Sequence, residues 1–319
     1  MVEERREMSH GDYENARKII SHVVQKTKPT ITQWTEKYSE LDKVFIRRGY
    51  EQGGFEFFKL SPLLEAKGIF SIERLGSILD SYVGEKRYDR QNHGGLASSF
   101  FIALQNGQYG PEGARFYECI KQFLEKRLGR PGAFFWVKLW QMLVCLNYLK
   151  LNYHSSFVLY LKQEYADFKQ ATSVSDNDLL SITTEEWLRF KKIQKPWTKL
   201  LGIGENVFDF IVGDISEFKF ARDSYKFDSS NHYFLEVTGL RRLIGPQLTQ
   251  ATVVAFLKRL GLPFTTRQIN AAIYAYCSVT EAKTYGFCHG MAKCSQCEVS
   301  RICERNIPQK QAPAKDFSE

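Results

Sequence analysis

The chain has 319 residues, 43% of them hydrophobic and 14% aromatic, so it can bury a sizeable core and global disorder is excluded. No apolar run reaches the ~20 residues that cross a bilayer, and the charged start "MVEERREMSHGDYENARK" lacks the apolar stretch of a secretory signal. A cytosolic or nuclear protein with no membrane partner is expected, and the net charge of +8 favours a polyanionic one.

Taken in chain order, apolar residues recur at three- and four-residue spacing in "YENARKIISHVVQKT", "SIERLGSILDSYVG", "EGARFYECIKQFLEKRLG", "SSFVLYLKQEYADFKQ" and "LTQATVVAFLKRLG". That period predicts helices. Thr183 with Glu186 forms a capping box ahead of "WLRFKK". "GYEQGGFEFFKLSP" (49–62) reads as an irregular break, and "GEKRYDRQNHGG" (84–95) as a polar loop or contact surface. Strand-like alternation is scarce, so the fold is expected to be all-α. Pro131–Gly132 marks a boundary between an N-terminal helical region, 1–130, and a C-terminal core, 131–287. A cysteine loop, 288–305, follows, and the Pro-punctuated tail 306–319 is expected to be disordered.

Three stretches carry chemistry. In "KLLGIGENVFDFIVGDI" (199–215) a Gly-Ile-Gly turn opens an apolar-periodic run. Glycines there let the backbone approach a ligand, and the first amides of the helix favour an anion such as phosphate. A plain helix–turn–helix accounts for the segment equally well. Just upstream, "RFKKIQKPWTK" (189–199) brings together Arg189, Lys191, Lys192, Lys195 and Lys199, which is either a solvated helix end or a salt-dependent attraction for phosphates.

The second stretch is "KFDSSNHYFLEVTGL" (226–240), in which Asp228 precedes Ser-Ser-Asn. On residue types alone Asp228 reads as the N-cap of the next helix. The third is "CHGMAKCSQCEVSRIC", with Cys288, Cys294, Cys297 and Cys303 spaced C-x5-C-x2-C-x5-C. An odd total of seven cysteines without a signal argues against a disulfide framework. Four close thiolates can hold zinc or an iron–sulfur cluster. The single CxxC tilts the reading toward the cluster, with zinc as the alternative. Cys119, Cys145 and Cys277 stand singly among apolar residues and are expected to be buried core thiols.

The order of these stretches over residues 131–305 resembles the helix-hairpin-helix DNA glycosylases with an iron–sulfur cluster, the endonuclease III and adenine DNA glycosylase group. The resemblance implies two helical subdomains around a cleft, with 1–130 as an added helical region, acting as a monomer on double-stranded DNA. It makes Asp228 the catalytic carboxylate of base excision and Cys288, Cys294, Cys297 and Cys303 the ligands of a [4Fe–4S] cluster. The amides of Gly202, Ile203 and Gly204 would meet a phosphate, and Lys191, Lys192, Lys195 and Lys199 would attract the backbone. His289, Lys293 and Arg301, in the cysteine loop, would add contacts.

Departures from the family pattern sharpen the expectation. Bifunctional members carry a lysine where this chain has Asn206, so no Schiff base can form there and β-elimination loses its nucleophile. The implied enzyme is a monofunctional N-glycosylase that leaves an abasic site. Phe208 stands where the family has a small residue, and the segment between the first two cysteines is one residue short. The family's wedge has no clear match, with Asn147 and Tyr148 the nearest candidates.

Overall fold

The computed structural model describes residues 9–32, 36–50, 93–128, 133–278, 286–288 and 293–305. Every regular element among them is helical, apart from a single parallel bridge between Glu36 and Ile215. In chain order the helices are α1 (His10–Thr32), α2 (Leu41–Tyr50), α3 (His93–Gln105), α4 (Pro111–Leu128), α5 (Ala133–Tyr153), α6 (Phe157–Lys169), α7 (Asp176–Leu180) and α8 (Thr184–Gln194). They continue with α9 (Glu205–Gly213), α10 (Ser229–Thr238), α11 (Leu240–Ile244), α12 (Gln250–Arg259) and α13 (Thr266–Cys277). Among the described residues no helix is long and apolar enough to cross a membrane.

The helix starts follow from capping chemistry. Ser156 accepts the Leu159 amide at 3.2 Å, and Thr183 accepts the Glu186 amide at 3.2 Å ahead of α8, as its spacing predicts. Thr249 with Thr252, and Thr265 with Gln268, close reciprocal capping boxes on α12 and α13. The polar segment 84–95 differs from its reading at one end, since His93–Gly95 already belong to α3; its first nine residues lie outside the described set. So do the predicted helix at 71–84, the break from residue 51 onward, the Pro131–Gly132 boundary and the tail 306–319.

The chain forms two compact units. The first takes residues 1–38, 180–187 and 212–319; the second takes 39–179 and 188–211. The 1–130 region is therefore not one body, because α1 belongs to the first unit while α2, α3 and α4 belong to the second.

In the first unit α1 lies along α13, with α10 against the same helix. Ala16, Ile19, Ile20, Val23, Val24 and Thr27 recur at the helical period and form the buried stripe of α1. They meet Leu235, Phe256, Leu257, Ile269 and Ile273 in one core. Tyr13 and Arg17 donate to the carbonyls of Arg259 and Leu260, so α1 also satisfies the C-terminal end of α12.

The second unit is built on α5, which is apolar nearly all round. Leu139, Trp140, Met142, Leu143, Val144, Cys145 and Leu149 are all buried. Aromatic pairs fill the space about it, including Phe45 stacked on Phe157 at 4.4 Å and Phe100 against Trp140 at 5.1 Å. Asn147 is buried in this helix and Tyr148 is half-buried among Tyr153 and Tyr160, so neither protrudes as a wedge.

Candidate functional site

Asp228 sits where an extended segment turns into α10. The segment is fixed from both sides of Lys226: its amide donates to Asn270 Oδ1 at 3.2 Å, and Asn270 Nδ2 donates to its carbonyl at 2.8 Å. Arg267 holds Asn270 in turn, donating to Oδ1 at 3.0 Å while pairing with Asp214 at 2.7 Å. Asn231, fully buried, anchors the carboxylate itself. Its backbone amide and its Nδ2 both donate to Asp228 Oδ1, at 2.9 and 3.0 Å. The Tyr225 hydroxyl donates to Asn231 Oδ1 at 2.8 Å, which leaves the amide one orientation. Burial, and then the charge of Asp228, push the Tyr225 pKa up, so it stays a donor.

Asp228 is thus an N-cap, as its residue type predicts, and something more. Both hydrogen bonds to the carboxylate fall on Oδ1; Oδ2 has no hydrogen-bond partner among the described residues, and Asp228 is half-buried. One oxygen is held rigid and the other is open to water or a ligand. That arrangement can steady a developing positive charge or take a proton from water.

The cysteine loop lies in the same unit and returns along the end of α13. The Gly286 amide donates to the Ala275 carbonyl at 3.3 Å and the Cys288 amide to the Tyr276 carbonyl at 2.9 Å. Tight turns then carry the chain through Cys294–Gln296 to Cys303, whose amide donates to Val299 at 3.1 Å. All four thiols are half-buried. Burial raises the Cys303 pKa, a backbone hydrogen bond at Arg305 opposes it, and the charges of the other three thiols add to the rise. Among the described residues no three His, Cys, Asp or Glu side chains converge on a point that could hold a single ion.

Neighbours from the core support the loop. Tyr276 stacks on Phe287 at 5.2 Å, and its hydroxyl stands 3.5 Å from Cys297 Sγ and 3.3 Å from His22 Nε2. Lys26 and Lys293 place their ammonium groups 5.6 and 5.7 Å from the Phe287 ring. Lys293 and Arg301 are exposed, whereas His289 lies outside the described residues. At the far end Glu304 lies over Gly239, the αL residue joining α10 to α11 (φ +80°). A Cβ there would fall 2.1 Å from Glu304 Cδ. Gly239→Ala should therefore lower stability by about 1–3 kcal/mol through positive φ and lost closure, read as a lower urea midpoint. An unchanged midpoint would show that the turn tolerates a Cβ.

The hairpin belongs to the second unit, whereas Asp228 and the cysteines belong to the first. Gly202 has φ +79°, and a Cβ on it would fall 2.6 Å from Gln141 Oε1, so both turn and packing require glycine. Gly204 faces open space and caps α9, accepting the Phe208 amide at 2.9 Å. Phe208 is fully buried against Phe157 and Trp197, which is how a large residue fits at that position. Ile203 departs from its expected role: it is buried and its amide already donates to the Leu200 carbonyl at 3.1 Å. The exposed residues of the turn are Gly204, Glu205 and Asn206.

The lysines divide just as clearly. Lys191, expected to reach phosphate, is buried; its ammonium sits 2.5 Å from Asp209 and 3.0 Å from Glu205, so it serves the fold. Lys199 is exposed but bonded at 2.6 Å to the buried Glu164, which also accepts Gln194. Burial of Lys199 works against its charge and is outweighed by Glu164, so its pKa is raised. Lys192 and Lys195 are exposed and make no ion pair among the described residues.

Residue types did not reveal three participants. Asn231, three places after Asp228, stands where a capping partner is expected, and that position was the available signal. Glu164 looked like one more charge on an amphipathic helix. Cys277 is buried in the core, as expected, yet it lies beside the returning chain, where the Cys288 amide bonds the carbonyl of Tyr276. The Cys277 thiol, helped by Tyr233 and opposed by burial, lowers the Cys288 pKa. No family model, curated protein or solved structure matches the chain.

Proposed function

We propose that the protein is a monofunctional DNA N-glycosylase, which hydrolyses the bond between a damaged, mispaired or modified base and its sugar and leaves an abasic site. One observation carries the reading: the Asp228 carboxylate is held by two donors on Oδ1 and open on Oδ2. Breaking an N-glycosidic bond puts positive charge on the sugar, and a fixed carboxylate beside it stabilises that charge and accepts a proton from the attacking water. The base must first leave the stack, which costs a few kcal/mol and is recovered through contacts to the backbone and the extruded nucleotide.

The start of α9, where Gly204, Glu205 and Asn206 are exposed residues, suits a phosphate, with Gly202 shaping the turn. Lys192 and Lys195 supply sequence-blind attraction, together with Lys293 and Arg301 from the loop. Asn206, at the second position of α9, carries no amine to attack the sugar, so strand cleavage is not part of the reaction.

Cys288, Cys294, Cys297 and Cys303, four half-buried thiols on one loop, would hold a [4Fe–4S] cluster, whose ligands are cysteine thiolates. When bound, the cluster supplies a rigid tie among Cys288, Cys294, Cys297 and Cys303 and no step of the hydrolysis. The N-terminal helix α1 meets this region through His22, 3.5 Å from Glu298 in the loop, and through Lys26 over the Phe287 ring. Purified protein should hold iron and acid-labile sulfide and absorb broadly near about 400 nm. Zinc without iron would replace this reading by a helical zinc module that binds another protein. A second reading, a DNA-binding relative without turnover, is favoured by the capping role of Asp228; it predicts tight binding and no base release.

A further inference from the structure

The core thiol Cys277 is out of place as a mere filler. It closes α13 at 4% exposure, eleven positions before Cys288; it belongs to the buried core of this unit, and the half-buried Cys288 packs against that core. The Cys288 amide bonds the carbonyl of Tyr276, the residue before Cys277, at 2.9 Å. Standard bond lengths then keep the two Cα atoms within about 7 Å, close to the range that a disulfide spans.

We propose that Cys277 and Cys288 form a redox-active pair: when the loop is without its cluster, the two close to a disulfide, and Cys288 becomes a ligand again only after that bond is reduced. The proposal rests on the reading of the loop as a cluster site, although the thiol chemistry stands without it. Oxidised glutathione is the oxidant. The half-buried Cys288 is the accessible partner, and its thiolate attacks one glutathione sulfur, forming a mixed disulfide and expelling one glutathione thiolate. Cys277, losing its proton to solvent, attacks the Cys288 sulfur and expels the second. Two protein thiols are oxidised and one glutathione disulfide becomes two thiols. While the cluster occupies Cys288, that sulfur is bound to iron and the pair stays open.

Peptide mapping of the full chain tests this. Trypsin separates Cys277 (peptide 268–283), Cys288 (284–293) and the Cys294–Cys297 pair (294–301). Protein stripped of metal with a chelator is treated with oxidised glutathione, and the remaining thiols are alkylated. The expected main product is peptide 268–283 joined to 284–293, two hydrogens lighter than their sum, absent from untreated iron-loaded protein. In Cys277→Ala, peptide 284–293 should be recovered without a partner peptide. Recovery of Cys277 alkylated in the wild type, with Cys294 joined to Cys297 or Cys288 joined to another thiol, would overturn the pairing. Purified protein without iron would sink the cluster reading and leave this measurement intact.

Discussion

Replacing Asp228 by asparagine should reduce base release by about 10²–10⁴-fold while leaving the fold and DNA affinity in place. Asparagine caps a helix as well as aspartate does, so the bond to the Asn231 amide can be kept and stability should change by a few tenths of a kcal/mol. What is lost is the charge and the open oxygen. The substitution therefore separates the two roles of the residue, measured by single-turnover release of base and by duplex binding side by side. Unchanged turnover in Asp228→Asn would mean that the carboxylate only caps α10. Asp228→Ala is a weaker test, since it also removes the cap, at about 1 kcal/mol.

The largest effect on stability should come from Lys191→Met. Lys191 and Asp209 are both buried, at 7% and 3% side-chain exposure, and Glu205, half-exposed, adds little. Removing the lysine takes away the ammonium 2.5 Å from a buried carboxylate, which costs about 3–5 kcal/mol. The double change Lys191→Met with Asp209→Leu should recover most of that loss, because an apolar pair of similar volume is often as stable as the ion pair. Lys192→Ala and Lys195→Ala should behave in the opposite way. Each should leave the urea midpoint nearly unchanged and lower the salt dependence of DNA binding by about one unit of slope. A Lys191 variant of full stability that binds DNA weakly would reverse the assignment.

Those lysines show where sequence reading stops. Four lysines in "RFKKIQKPWTK" look alike in composition, and one solvated basic face is the simplest expectation. Whether each is exposed depends on carboxylates placed by other helices, Glu164 on α6 and Asp209 on α9, and no local pattern announces them. Helix periods and caps, in contrast, are local physics. The stripe of α1, the cap at Thr183 and the cap at Asp228 were legible for that reason. The Gly-Ile-Gly turn was legible as a turn, but the middle amide is consumed by Leu200, a three-dimensional fact that glycine spacing does not encode. The boundary read at Pro131–Gly132 came from helix punctuation, whereas the compact units join distant stretches, α1 with α13 among them. Cys277 looked like a core thiol and is one; its contact with Cys288 follows from the chain's return along α13.

The proposed enzyme cuts the N-glycosidic bond and leaves the strand whole. The most direct measurement incubates the protein with end-labelled duplexes, each carrying one modified or mispaired base, and analyses strands before and after hot alkali. The account predicts, for at least one duplex, a break at the lesion after alkali only, with no complex trapped by borohydride. Breaks without alkali together with a borohydride-trapped complex would contradict the monofunctional assignment, and tight binding with no alkali-sensitive site on any duplex would contradict catalysis itself.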